Sequence, residues 1–99
     1  MPAILHLILN RDPFDGIAKR TKRIEYREYT PYWRTRLEGR KYDVILFRNG
    51  YATKAPEMLV EFLGYRIQGK GMNKEFAIRL GRILKIKRWP RKAPPRGGG

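Results

Sequence analysis

The chain has 99 residues and carries 23 lysines and arginines against 9 aspartates and glutamates, a net charge of +14. That length predicts one small domain rather than two, and a composition 41% hydrophobic and 12% aromatic is enough to give it a core. There is no cysteine, no serine and a single histidine, His6. These residues therefore cannot supply a disulfide, a thiolate zinc site, a Ser–His or Cys–His nucleophile, or a multi-histidine metal centre. Lys, Glu, Asp, Tyr, Thr and Arg are left for chemistry, and no metal or other cofactor is implied.

Ile4–Leu9 is apolar at nearly every position, which reads as a central strand buried on both faces, with His6 inside it as a core histidine. The apolar stretch Ala3–Leu9 ends at Asn10-Arg11-Asp12, too short for a transmembrane helix and unlike a signal peptide. The expectation is a cytoplasmic protein without membrane association, monomeric by default. Asp12-Pro13-Phe14-Asp15 opens a short helix, with Asp12 as cap, Pro13 at the first helical position, and Phe14, Ile17 and Ala18 on its apolar side. From Arg23 to Tyr29 the chain alternates, placing Ile24 and Tyr26 on one face of a strand and Glu25 and Arg27 on the other. A second short helix has Thr30 as cap, Pro31 as first residue and Gly39 as stop, with Trp33 and Leu37 sharing a face.

Val44–Phe47 is a buried strand that ends in a tight turn at Asn49-Gly50. Met58, Val60 and Phe62 alternate along the next strand, where Gly64 marks a bulge or bend. After a polar loop, Gln68–Glu75, the residues Phe76, Ile78, Leu80, Leu84 and Ile86 keep a period of two, and Gly81-Arg82 is the place for that long strand to bend. The fold expected is α+β: a small, bent, mixed β-barrel of about five strands with two short helices in the first half.

Charge is uneven along the chain. Residues 1–75 hold 15 basic and 9 acidic residues, whereas residues 76–99 hold 8 basic residues and no acidic one. The domain expected is 1–89. Residues 90–99, rich in proline, glycine and arginine, read as a disordered basic tail, either a phosphate-binding arm or a solubilising extension.

The pattern Lys22-x-x-Glu25-x-Arg27, set between a short helix and a strand, resembles the signature Gly-x-Lys-x-x-Glu-x-Arg of the ASCH domain family, small β-barrels of the PUA-like superfamily. Lys22, Glu25 and Arg27 match in type and spacing; Arg20 stands at the glycine position. Thr30-Pro31-Tyr32-Trp33, Arg36-Leu37-Glu38-Gly39-Arg40 and Phe47-Arg48-Asn49-Gly50-Tyr51 extend the resemblance to roughly Ile4–Trp89. It implies binding of RNA or a modified nucleoside in a cleft beside the motif strand. In some members it implies hydrolysis, of N4-acetylcytidine or of RNA. For such a hydrolase the resemblance points to Lys22, Thr21 as the hydroxyl residue, Glu25, and Glu61 as a second carboxylate from another strand.

By spacing alone, Glu25 and Arg27 project from one strand face and can meet, with Lys22 at the strand entrance. A neutral Lys22 would serve as a base and a charged one would hold an anion; Glu25 would activate water, and Arg27 would grip a carbonyl or phosphate at two points. The same spacing also describes a structural salt bridge. Aromatic and basic residues interleave at Tyr26, Arg27, Tyr29, Tyr32, Trp33, Arg34 and Arg36, with Arg48, Asn49 and Tyr51 further on. Tyr26 and Trp33 read as core. Tyr29, Tyr32 and Tyr51 read as stacking surfaces for a base and Asn49 as a partner for its edge. The expected function is an RNA- or nucleoside-binding domain with a candidate amidohydrolase or ribonuclease activity. The alternative is a non-catalytic RNA- or DNA-binding module that uses the same cleft and the tail.

Overall fold

In the computed structural model, residues 3–90 are described, and the chain forms five strands and two short helices. In order these are β1 (Ile4–Leu9), α1 (Arg11–Ala18), β2 (Ile24–Glu28), α2 (Pro31–Leu37), β3 (Val44–Asn49), β4 (Glu57–Gln68) and β5 (Glu75–Lys87). All five strands belong to one mixed sheet of order β1-β3-β4-β5-β2, in which β1 and β3 are parallel and the other neighbours antiparallel. The sheet curls into a half-barrel, so the expected α+β class is observed, with β1 and β2 as the two free edges. Of the expected tail, all but Pro90 lies outside the described residues.

Curvature comes from the long β4–β5 pair. Its register slips between Leu59 and Val60, between Val60 and Phe62, and between Phe62 and Tyr65, each slip bending and twisting the ribbon. Gly64 lies at the last slip with φ +99°, and Gly81 lies under Glu61, where an added Cβ would sit 2.8 Å from the glutamate Cβ. Both bends expected at these glycines are present. The slips also overturn the expected unbroken phase of β5. Phe76, Ile78 and Leu80 are buried, but beyond Gly81 it is Ile83 and Ile86 that pack on the core, and Leu84 is 48% exposed. Each bulged residue moves the following side chains to the other face.

The core lies on the concave side. Leu5, Leu7 and Leu9 of β1 meet Ile45 and Phe47 of β3, Met58 and Val60 of β4, and Phe76 and Ile78 of β5, and Phe14, Ile17 and Leu37 close it from the two helices. Since both helices turn to that one side, β1 is covered on one face only. The strand expected at the centre pairs with β3 alone and is an edge strand; its uncovered face leaves Ile4, His6 and Ile8 exposed, and His6 is not a core histidine. An apolar run alone cannot reveal which of its faces is covered.

Helix α2 forms as its residues dictate: the Thr30 hydroxyl accepts from the Trp33 amide at 3.4 Å, Pro31 opens the first turn, and Gly39 leaves it at φ +70°. At α1 the cap position belongs to Asn10 rather than Asp12, which lies inside the first turn; the Asn10 carbonyl accepts from the Phe14 amide, and its side chain makes no capping bond. Asn49-Gly50 is not a two-residue hairpin turn. Gly50 begins a longer connection through Pro56, closed by the Asn49 amide on the Pro56 carbonyl at 2.9 Å. Far along β5's exit, the Trp89 indole donates to Asp15 Oδ1 at 2.9 Å, tying the end of the domain to α1. No helix among the described residues is long and apolar enough to cross a membrane.

Candidate functional site

Alternation along β2 sends Glu25 and Arg27 to the concave side, where they face Ile78 and Phe76 of β5 in register, and sends Ile24, Tyr26 and Glu28 outward. Glu25 is only 5% exposed, the one buried charged residue among those described. A carboxylate in that position requires partners, because desolvating it alone is costly. Arg27 donates to Glu25 Oε2 from Nε at 3.0 Å and from Nη2 at 2.6 Å, and Lys22 Nζ stands 3.3 Å from Oε1. Two cations share one carboxylate, so the cluster carries a net positive charge. Spacing had allowed this meeting, and the fold brings the three together.

The turn that aims Lys22 is built on the Gly16 carbonyl, which accepts from the amides of Thr21 and Lys22, each at 3.0 Å, and from the Thr21 hydroxyl at 3.1 Å. Arg20 stands where the motif has glycine, and it adopts the left-handed conformation, φ +65°, that glycine takes most readily. This costs a non-glycine residue about 1–2 kcal/mol. Its guanidinium offsets part of that by donating to the Gly81 carbonyl at 2.7 Å.

Arg27 also spans the open seam of the half-barrel. Its Nη2 lies 3.4 Å from the carbonyl of Ile8 on β1, and its guanidinium carbon is 4.9 Å from the centre of the Trp33 ring. Here the two free edges approach each other, and a cavity of about 300 Å³ opens between them, lined by Ile8, Asn10, Pro13, Glu25, Arg27 and Tyr51. The unpaired sides of two edge strands offer backbone donors and acceptors to whatever enters. Tyr51, 84% exposed, stands at the rim.

Of the remaining candidates, Thr21 lies beside Lys22 and the others are dispersed. The Thr21 hydroxyl is spent on Gly16. Glu61 belongs to neither cavity that Lys22 or Glu25 lines; its Oε1 accepts from the Arg82 amide at 2.8 Å and from Arg82 Nε at 3.1 Å. The Tyr29 hydroxyl donates to Glu38 Oε2 at 3.1 Å, its ring packs on Phe76, and Arg34 and Lys74 flank it. Tyr32, 55% exposed, has the Arg36 guanidinium carbon 3.5 Å from its ring centre. Arg48 is committed to the connection that carries Tyr51: Nη2 donates to the Ala52 carbonyl at 2.8 Å, and Nε lies 3.0 Å from Glu57 Oε2, an ion pair without hydrogen-bond alignment. Asn49 is half-buried, and its backbone amide donates to the Pro56 carbonyl. Tyr26, expected in the core, is 46% exposed on the outer face, because Glu25 and Arg27 take the inward positions of β2. Asn10, Ile8 and the stacking of Trp33 under Arg27 were not anticipated. Asn10, a residue type suited to a helix cap, was the one signal in the sequence, passed over for Asp12.

Hydrogen bonding from the Arg82 backbone, then from its side chain, holds the Glu61 carboxyl below its usual pKa. A carboxyl depressed on folding adds stability above its unfolded pKa and loses it as pH falls through the folded value. Glu61→Gln is therefore expected to lower the melting temperature at neutral pH, the gap to wild type closing as pH drops below the usual value of 4.5. Thermal melts of both proteins across that range check the sign. Among the described residues, no three His, Asp or Glu side chains cluster so as to hold a metal.

No family model matches the chain, and neither the curated proteins nor the solved structures searched contain a match to it.

Proposed function

We propose that this is an ASCH-like nucleic-acid-binding domain that takes an unpaired RNA base, or a free modified nucleoside, into the seam cleft. One observation carries this reading: a buried carboxylate gripped by Arg27 and Lys22 forms the floor of a cavity between two free strand edges, with an exposed tyrosine at its rim. A nucleobase presents a flat apolar face and a polar edge. Tyr51 supplies a surface for the face. Arg27, the Asn10 amide and the free backbone of β1 supply partners for the edge.

The second reading is amide hydrolysis, and the contact between Arg27 and Glu25 favours it. In N4-acetylcytidine, water deprotonated by Glu25 would attack the acetyl carbonyl while the Arg27 guanidinium, which lines the same cavity, steadies the oxyanion. The C–N bond then breaks, the proton passes to the cytosine amine, and acetate and cytidine leave. Thr21 and Glu61, engaged elsewhere, have no part in this scheme.

Titration of the isotopically labelled protein with cytidine, N4-acetylcytidine and a short single-stranded RNA, followed by amide NMR, tests the binding. Shifts are expected around Asn10, Arg27 and Tyr51, and Tyr51→Ala should weaken the complex about tenfold through lost stacking. Shifts that avoid these residues for all three ligands would sink the cleft reading. Release of acetate from N4-acetylcytidine decides between hydrolase and non-catalytic module, and a DNA oligonucleotide of the same sequence decides between RNA and DNA.

A further inference from the structure

The outer face of the sheet carries a second concavity that the seam does not use. On β5 the small side chain of Ala77 lies between Tyr26 of β2 and Arg66 of β4, and the bulge at Gly64 bends the ribbon beside it. The result is a cavity of about 630 Å³ walled by Arg23, Arg66 and Arg79, with Ile24, Leu63 and Ala77 among its apolar lining. All three arginines are exposed, and none pairs with a carboxylate among the described residues. It adjoins a further depression of about 420 Å³ that shares Arg23 and Ile24 and adds Arg20, Lys22 and Tyr26. The two form one trough along β2, β5 and β4, lined by five cations and no carboxylate.

A patch of this kind is poorly explained by folding. Like charges gathered on one face repel and cost stability, and neighbouring carboxylates would ordinarily interleave with them. The arginine forks match phosphate oxygens, and Tyr26, 46% exposed with Lys22 Nζ 5.4 Å from its ring centre, offers a stacking surface within the same trough. A positive groove interrupted by an aromatic ring is the arrangement that suits a single strand, whose phosphates track the charge while a base stacks. A flat anionic surface would gain little from arginines set in a concavity.

We propose that this outer trough is a separate site for the phosphodiester backbone of single-stranded nucleic acid, with Arg23, Arg66 and Arg79 as the phosphate-contacting residues. The proposal rests on the reading of the seam only for the class of ligand. Lys22 links the two places, since it lines the trough while its Nζ reaches Oε1 of Glu25, which lines the seam cavity. A strand lying in the trough can therefore pass the β2 edge and present a base to the seam.

The test is fluorescence anisotropy of the full chain with a labelled single-stranded RNA of about twelve nucleotides, read across salt concentration. The variant R23Q/R66Q/R79Q keeps all its substitutions on exposed positions, and circular dichroism checks its fold. Affinity at low salt is expected to fall at least tenfold, and the slope of log K against log salt to shrink by about 2, three contacts at roughly 0.7 each. The charge-preserving R23K/R66K/R79K should keep the slope. The basic residues beyond Pro90 are common to all three proteins, so their share cancels in the comparison. Free cytidine binding, followed in parallel, should be unchanged in the glutamine variant. A cytidine result that fails even for wild type removes the seam reading and leaves the trough standing. An unaltered RNA slope in the glutamine variant overturns the trough, as does loss of binding to phosphatidylserine vesicles by a variant that still binds RNA normally. Should the triple variant prove unfolded, R79Q alone gives the same comparison, with an expected slope change of about 0.7.

Discussion

Glu25→Ala is expected to destabilise the domain by about 3 kcal/mol, since it leaves a half-buried guanidinium without its counter-ion. Arg27 retains 18% of its side-chain exposure, and its Nε and Nη2 both point at the Glu25 carboxylate. Lys22, at 28%, is less affected, because it can turn to water. Urea denaturation measures the loss, and Glu25→Gln, which keeps one acceptor oxygen, should lose less. Stability alone does not account for such a cluster, because an apolar pair of similar volume often replaces a buried ion pair at no cost. The double variant Glu25→Leu/Arg27→Met is accordingly expected to regain most of the stability while ligand binding at the seam disappears. Binding that survived in a stable double variant would show that the cluster is a brace and not a site.

Phe76→Ala is expected to cost about 4 kcal/mol, a large share of the 5–15 kcal/mol typical of a whole domain. Phe76 is fully buried and joins Tyr29 at 5.2 Å and Tyr65 at 5.1 Å between ring centres. It also lies opposite Arg27 in the β2–β5 register, so the cavity left by its ring opens beneath the seam cluster. The expected result is a melting temperature lowered by well over ten degrees, with faster exchange of the β2 amides than of the β3 amides. Phe76→Leu fills part of the space and should recover about half of the loss. A loss below about 1 kcal/mol would mean that the neighbouring tyrosines collapse into the gap.

The elements were legible wherever a short stretch carries its own instructions. Thr30, Pro31 and Gly39 set the limits of α2 through one hydroxyl bond, one fixed φ and one positive φ, all within the same ten residues. Glu25 and Arg27 share a face because strand period is two, and that needed no knowledge of the partner strands. The bends at Gly64 and Gly81 were legible for the same reason, though their effect on Leu84 was not: a bulge changes the phase only once the partner strand fixes the register.

The candidate site was half legible. Lys22, Glu25 and Arg27 stood out as a local pattern, and Tyr51 as an aromatic beside a turn. Thr21 matched by residue type and does lie beside Lys22, with its hydroxyl donated to Gly16 in the local turn; Glu61 matched by type too, yet its bonds to Arg82 hold it away from that cluster, and they depend on how β5 pairs with β4. Tyr29 and Tyr32 are likewise occupied by Glu38 and Arg36, not by a shared cleft.

The charge of +14 and the absence of serine and cysteine followed from composition, and they limited the available chemistry before any fold was considered. Where the charge acts was decided by tertiary structure. β1 becomes an edge because it pairs with β3 alone, and β2 becomes the opposite edge because it pairs with β5 alone. Those two placements create the seam, which brings Asn10 and Ile8 to Arg27. They also leave the outer face bare, where arginines from three separate stretches of chain meet around Ala77. Residues far apart in sequence share a surface only through pairing and curvature, and neither is written in any local pattern of side chains.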